Sequence, residues 1–227
     1  MDGSSKTTYQ DVEDQTMTES PSAYAKIMKD YRAQLQKNWE QIPIDILGVE
    51  RLGNEILVPL FGKKQPVSPQ DIGRDNPDNS PYKHMVSVLL VKYLLGTGQP
   101  MDAQDSNWVA YREFKDAAPF VEGYANTVER RISNSFVGKL QDLEGACSNL
   151  AGQTPSEPYS YDLVRMFPAL PRVPVLMLFN DADEDFPAQC SVLLQQDANN
   201  YLDMECLVIV GICLALFLEH PEHLGSH

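Results

Sequence analysis

Apolar residues are spread unevenly along this chain, and they are densest near its end. Val175 to Phe179 is an unbroken apolar run, and a second run of strand length follows around Cys190 to Leu194. Asp181 to Asp185 is an acidic turn between them, and Cys206 to Leu218 is then free of charge. Two apolar runs about a polar turn predict a hairpin, Val173 to Asn180 and Ala188 to Gln195. It feeds a closing helix from about Leu202 to Leu218, with Asp197 or Asn199 as its N-cap. Phe167 to Pro174, broken by prolines, reads as the entry to this hairpin.

Upstream the pattern changes period. Tyr24, Ile27, Met28, Tyr31, Leu35 and Trp39 recur at helical spacing behind Ser20-Pro21, which predicts a capped helix to about Glu40. Ile44 to Val49 and Glu55 to Phe61 are short and rich in β-branched residues, and predict a second hairpin, with a further short strand at Pro66-Val67. The residues 70–80 read as a loop. Tyr82 to Leu95 predicts an apolar helix stopped by Gly96. After a loop to Asn107, Trp108 to Phe114 alternates as an extended segment. Helices follow at Pro119 to about Asn134 and Val137 to about Leu150. The expected fold is α+β: a single domain over 21–219, with short antiparallel strands and hairpins packed against several helices. The polar segment 1–20 reads as a flexible tail, and 220–227 as a C-terminal tail.

Charge sharpens this picture. The 227 residues hold 32 acids and 18 bases, a net charge of −14. From Val173 onward there are nine acids and no Lys or Arg, so the last quarter carries most of the excess. Such a field repels phosphate backbones, and Lys63-Lys64 and Arg130-Arg131 are only isolated pairs, so nucleic acid is not an expected partner. Cys206 to Leu218 is too short to span a bilayer and is bracketed by acids, so no membrane span is expected. The four cysteines form no C-x-x-C and read as free, buried thiols. With no apolar signal segment at the start, the expectation is a soluble, cytoplasmic protein.

Four features hold candidate chemistry. Asp181, Asp183 and Asp185 alternate, and carboxylates at that spacing suit a hard cation. A calcium loop fails on detail, since Phe186 and Val192 stand where Gly and Glu belong; a solvated acidic turn is the plainer reading. Arg172, held between Pro171 and Pro174, is placed to pair with a carboxylate, either within the domain or on an anionic ligand. Trp108, Tyr111, Arg112 and Glu113 combine aromatic and charged groups that suit either a pocket wall or ordinary core-edge packing. His220-x-x-His223 suits a metal only if the segment is helical, which Pro221 opposes. Nucleophile, P-loop, dinucleotide and zinc-protease motifs are lacking, and the cofactor, if there is one, is unknown from the sequence.

Trp108 to Phe114, Leu170 to Val175, Asp183 to Ala188 and Tyr201-Leu202-Asp203-x-Glu205, taken in that order, resemble the uncharacterised family of domain of unknown function 3786. The resemblance runs from about Tyr24 to Leu218. It implies an anaerobic setting, since the family is met chiefly in anaerobic bacteria and archaea. Some of its members look fused to a Cys-rich iron–sulfur domain, which this chain lacks. The functional expectation is a non-enzymatic accessory module of anaerobic metabolism that binds a ligand or protein partner through the acidic hairpin and the Trp108–Phe114 segment. The alternative is a small-molecule or divalent-metal-dependent enzyme with Asp183, Asp185 and Arg172 in one cleft.

Overall fold

The computed structural model describes residues 21–72, 81–96 and 107–224; the expected tail at 1–20, most of the loops read at 70–80 and 96–107, and His227 lie outside them. Helix α1, Pro21–Asn38, runs into a 3₁₀ turn, Trp39–Gln41. Its buried residues Met28 and Leu35, with Trp39 beyond, are the stripe that the spacing predicts. The run from Ile44 to Val49 is not a strand. Ile44–Leu47 is a single helical turn, α2, entered from Pro43 and stopped by Gly48 at φ 68°. A proline before and a left-handed glycine after are helix punctuation, and over four residues they outweigh β-branching. The hairpin forms one step later, from β1 (Glu50–Leu52) and β2 (Glu55–Leu60), and β3 (Lys63–Val67) completes an antiparallel sheet.

Helix α3 spans Pro81–Leu95, β4 is Trp108–Ala110, and a 3₁₀ turn covers Tyr111–Glu113. The helix expected from Pro119 to Asn134 is present in pieces: α4 (Val121–Tyr124), a π-helical turn (Ala125–Glu129) and α5 (Arg130–Phe136). Helix α6 is Leu140–Asn149. The presumed hairpin entry is itself a strand, β5 (Leu163–Leu170), which turns through Pro171-Arg172 into β6 (Val173–Asn180). Strand β7 is Gln189–Gln195. Prolines do not bar β5 from the sheet because the ladder is irregular between Phe167 and Leu170, where Pro168 needs to donate nothing.

The second sheet is antiparallel with order β4-β7-β6-β5. One face presents Phe167, Val175, Met177, Phe179, Val192 and Leu194 to the main core; the other carries a smaller cluster of Val164, Leu176 and Leu178 with Trp108 and Leu193. Strand β6 is therefore apolar on both faces, which explains its unbroken run. The two sheets meet where the Phe61 N–H donates to Ala169 O at 3.1 Å.

Helix α7, Met204–Glu219, lies against the main core face, and nine of its sixteen residues are buried, too many for one stripe. It is packed by α3, α5, α6 and the π turn, and Phe217 meets Phe61 edge-on at 5.7 Å. Each large side chain so buried contributes about 1.5–3 kcal/mol. The N-cap is Asp203, whose Oδ1 accepts from the Cys206 N–H at 2.9 Å, not Asp197 or Asn199, which belong to the preceding 3₁₀ turn. At the far end Arg131 clamps Glu219 through both carboxylate oxygens, aided by Ser135 Oγ at 2.6 Å. A carboxylate is the wrong sign for a helix C-terminus, and the guanidinium corrects it. No helix among the described residues is long and apolar enough to cross a membrane. Nor is 220–224 a loose tail: Pro221–Leu224 is a 3₁₀ turn that buries Leu224.

Candidate functional site

The acidic turn lies at the tip of the β6–β7 hairpin, and two of its carboxylates, those of Asp181 and Asp183, are occupied locally. Asp183 Oδ1 accepts from the N–H groups of Asp185 and Phe186 at 2.8 and 2.7 Å, and the Asp183 N–H returns a bond to Phe186 O. Asp181 Oδ1 accepts from Gly138 N–H at 2.7 Å and from Ala182 N–H at 2.8 Å. The oxygens of Asp181, Asp183 and Asp185 do not form a close three-ligand group; among the described residues that arrangement occurs at His220, Glu222 and His223.

What the tip does instead is hold apolar side chains out. Phe186 is 65% exposed. The Asp181 N–H donates to Asp162 Oδ2, beside Tyr161, while Asp181 itself holds Gly138, beside Val137. Tyr161, Val137 and Phe186 are all exposed, and these bonds gather the turns that carry them at one end of the sheet. Lys139, at the start of α6, is turned back onto Ser135 O of the preceding helix α5. These exposed apolar side chains share that end of the sheet with the exposed acids Asp162, Asp183, Glu184 and Asp185.

Arg172 is not beside this cluster. It precedes β6 and the acidic turn follows it, so a strand of about 25 Å separates them. Its guanidinium donates to Ile46 O at 2.7 Å and Asp45 O at 3.1 Å, and Tyr93 OH donates to Leu47 O at 2.6 Å. The Arg172 N–H in turn donates to Tyr93 Oη. Together they bond the last three carbonyls of α2, of which Ile46 and Leu47 have no helical donor, so the partner of Arg172 is backbone and not a carboxylate.

The Trp108 cluster also divides. Trp108 pairs with Gln195, at the Arg172 end of the sheet, and packs half-buried on the smaller face. Tyr111 is buried, stacks on Tyr124 at 4.4 Å, and donates to Met204 O at 2.8 Å. Arg112 and Glu113 are exposed. Trp108 to Glu113, Arg172 and Asp183 to Asp185 therefore do not share one pocket.

A cleft that the sequence did not reveal lies at the start of α7. Tyr31, Gln34, Lys92, Leu95, Gly96 and Tyr201 line a space of about 290 Å³ that ends at Leu202 and Asp203. A second space of about 470 Å³, with Lys115, Asp116, Phe120, Asn199, Met204 and Glu205, shares those two residues. Lys92 Nζ meets Asp203 Oδ2 at 2.6 Å. Burial alone would raise the Asp203 carboxyl, but hydrogen bonds from Lys92 and Cys206 outweigh it and hold the pKa low. The same bond raises the Lys92 ammonium against its burial. Burial also raises the Tyr31 hydroxyl.

The π turn serves the sheet edge. Beyond the short β4, the outer edge of β7 is closed by side chains: Glu129 Oε1 accepts from Val192 N–H at 3.1 Å, and Tyr124 OH donates to Val192 O at 3.2 Å. Burial raises the Glu129 carboxyl, opposed by the Val192 bond and the Arg112 charge. The thiols are free; burial pushes Cys147 and Cys213 up to about 12 and raises Cys190 and Cys206 as well. Thiols so protonated at neutral pH are poor nucleophiles.

The fold and its surfaces define a class: an α+β protein in which two antiparallel sheets and a ring of helices enclose one apolar helix. The chain belongs to the family of domain of unknown function DUF3786, whose profile matches residues 44–216. No curated protein and no solved structure matches it.

Proposed function

We propose that the protein is a non-enzymatic accessory module that docks a partner protein on the hairpin tip. The observation that carries this reading is Phe186, an exposed aromatic in a turn stiffened by Asp183, at the end of the sheet where Tyr161 and Val137 are also exposed. Exposed apolar surface inside a charged rim is what protein-recognition sites present. The rim is acidic, so the partner offers an apolar pocket bordered by Lys or Arg. The surface differs from the one the sequence suggested, because the Trp108–Phe114 segment lies at the other end of the sheet.

The test is affinity capture from an anoxic host extract, with the wild type compared against Glu184→Lys, Asp185→Lys and against Phe186→Ala. These variants leave Asp183, which holds the turn. A protein retained by the wild type, released by salt, and lost with both variants supports docking at the tip. Retention that ignores both variants, or no retained protein, contradicts it.

A second reading places a small molecule in the cleft beside Lys92 and Asp203, favoured by their pairing next to Tyr31. Native mass spectrometry of the protein purified anoxically distinguishes them: a bound small-molecule mass that Tyr31→Ala removes favours the cleft.

A further inference from the structure

We propose that His220, Glu222 and His223 form a binding site for a divalent first-row transition ion of the zinc class, at the end of α7. The segment is helical despite Pro221. Pro221 opens the 3₁₀ turn, where its missing N–H is not needed, and the His223 N–H donates to His220 O at 3.0 Å. His220 itself lies between α7 and the turn at φ −137° and ψ 72°, and that bond closes the turn back onto it. The two imidazoles stand with centroids 5.2 Å apart, tilted by 44°, and Glu222 Oε1 lies 3.2 Å from His220 Nδ1.

One donor atom from each of the three residues lies within 4.8 Å of the others. Around zinc, with bonds of about 2.0–2.1 Å, neighbouring donors stand about 3.4 Å apart. Closing the difference takes small χ rotations, which the exposed His220 and Glu222 make freely. Two nitrogens and one carboxylate select a borderline ion; calcium and magnesium need more oxygens. A remaining position is left for water.

Two features hold the site in place. His223 is stacked on Tyr82 at 4.2 Å and 26°, which fixes one ring before metal arrives. Leu224 is buried and its carbonyl accepts from Gln65, which anchors the turn to the body. The negative end of the α7 dipole adds a favourable field for a cation, and Glu219, the nearest other acid along the chain, is committed to Arg131.

Zinc titration of the full chain, followed by calorimetry against a weak competing chelator, tests this. The expected result is saturable uptake of one zinc per chain. His220→Ala and His223→Ala each lower the affinity at least about tenfold, and Tyr82→Ala lowers it by less. Metal-free melting of the His220→Ala chain should match the wild type, because that ring is exposed. Uptake that persists in the His220→Ala, His223→Ala double variant, or no saturable uptake by the wild type, overturns the site.

Discussion

Phe186 and Arg172 show how differently two conspicuous residues are used. Both belong to Pro-containing segments at the ends of β6, yet one is held outward and the other reaches back to cap a helix. Arg172→Ala should lower stability by about 1–2 kcal/mol, since charge-assisted bonds to Ile46 and Asp45 are lost. Denaturant melts would show this, while capture of the partner stays unchanged; a loss of capture with no loss of stability would speak for a ligand role. The residue types of the site were legible, but their grouping was not. Asp183 was readable as part of an acidic turn, whereas its bonds to Asp185 and Phe186 depend on turn geometry. Arg172 could not be paired correctly while Ile44 to Val49 was read as a strand, because its true acceptors are helix-end carbonyls.

Elements were legible where period and punctuation agreed. Helix α1, helix α3 with Gly96, and the β6–β7 hairpin follow the predicted bounds closely. Strand β5 was hidden by Pro168 and Pro171, which read as breakers until a ladder irregularity accommodates the first. The π turn has no sequence period of its own; tertiary contacts at the β7 edge explain its position. Burial raises the Glu129 carboxyl, so the folded state holds a proton that the unfolded chain has released. Stability therefore falls as pH rises from the ordinary glutamate range through the raised value. Glu129→Gln keeps an acceptor for Val192 and removes the buried charge. It should be more stable than the wild type at pH 7 and equal to it at pH 4 in urea melts. Equal stability at both values would count against a strained carboxylate. Gly211 tests the packing between α7 and the same turn. A Cβ there would stand 2.8 Å from Tyr124 and 2.9 Å from Val128. Alanine favours helix by about 1 kcal/mol, but overpacking against buried, rigid neighbours costs about 1–3 kcal/mol. Gly211→Ala should therefore lower the melting temperature; a rise would mean the core yields there.

Across the whole molecule, the strongest apolar elements are spent inside. Helix α7 is enclosed, β6 is covered on both faces, and three of the four thiols are buried. The acidic excess after Val173 also has a place: several of those charges rim the hairpin tip, where they repel acidic surfaces and steer basic ones. Charge asymmetry was plain in the sequence, but Val137 and Tyr161 come from distant turns and are brought to the end of the sheet that carries Phe186 only by the bonds of Asp181 to Gly138 and Asp162. The most direct measurement is the binding isotherm of the captured partner for the wild type and for Phe186→Ala, with melting temperatures measured alongside. An anchor of this kind is worth about 2 kcal/mol, so affinity should fall roughly thirtyfold while the melting temperature stays unchanged. Equal affinity for the two chains would contradict docking at the tip.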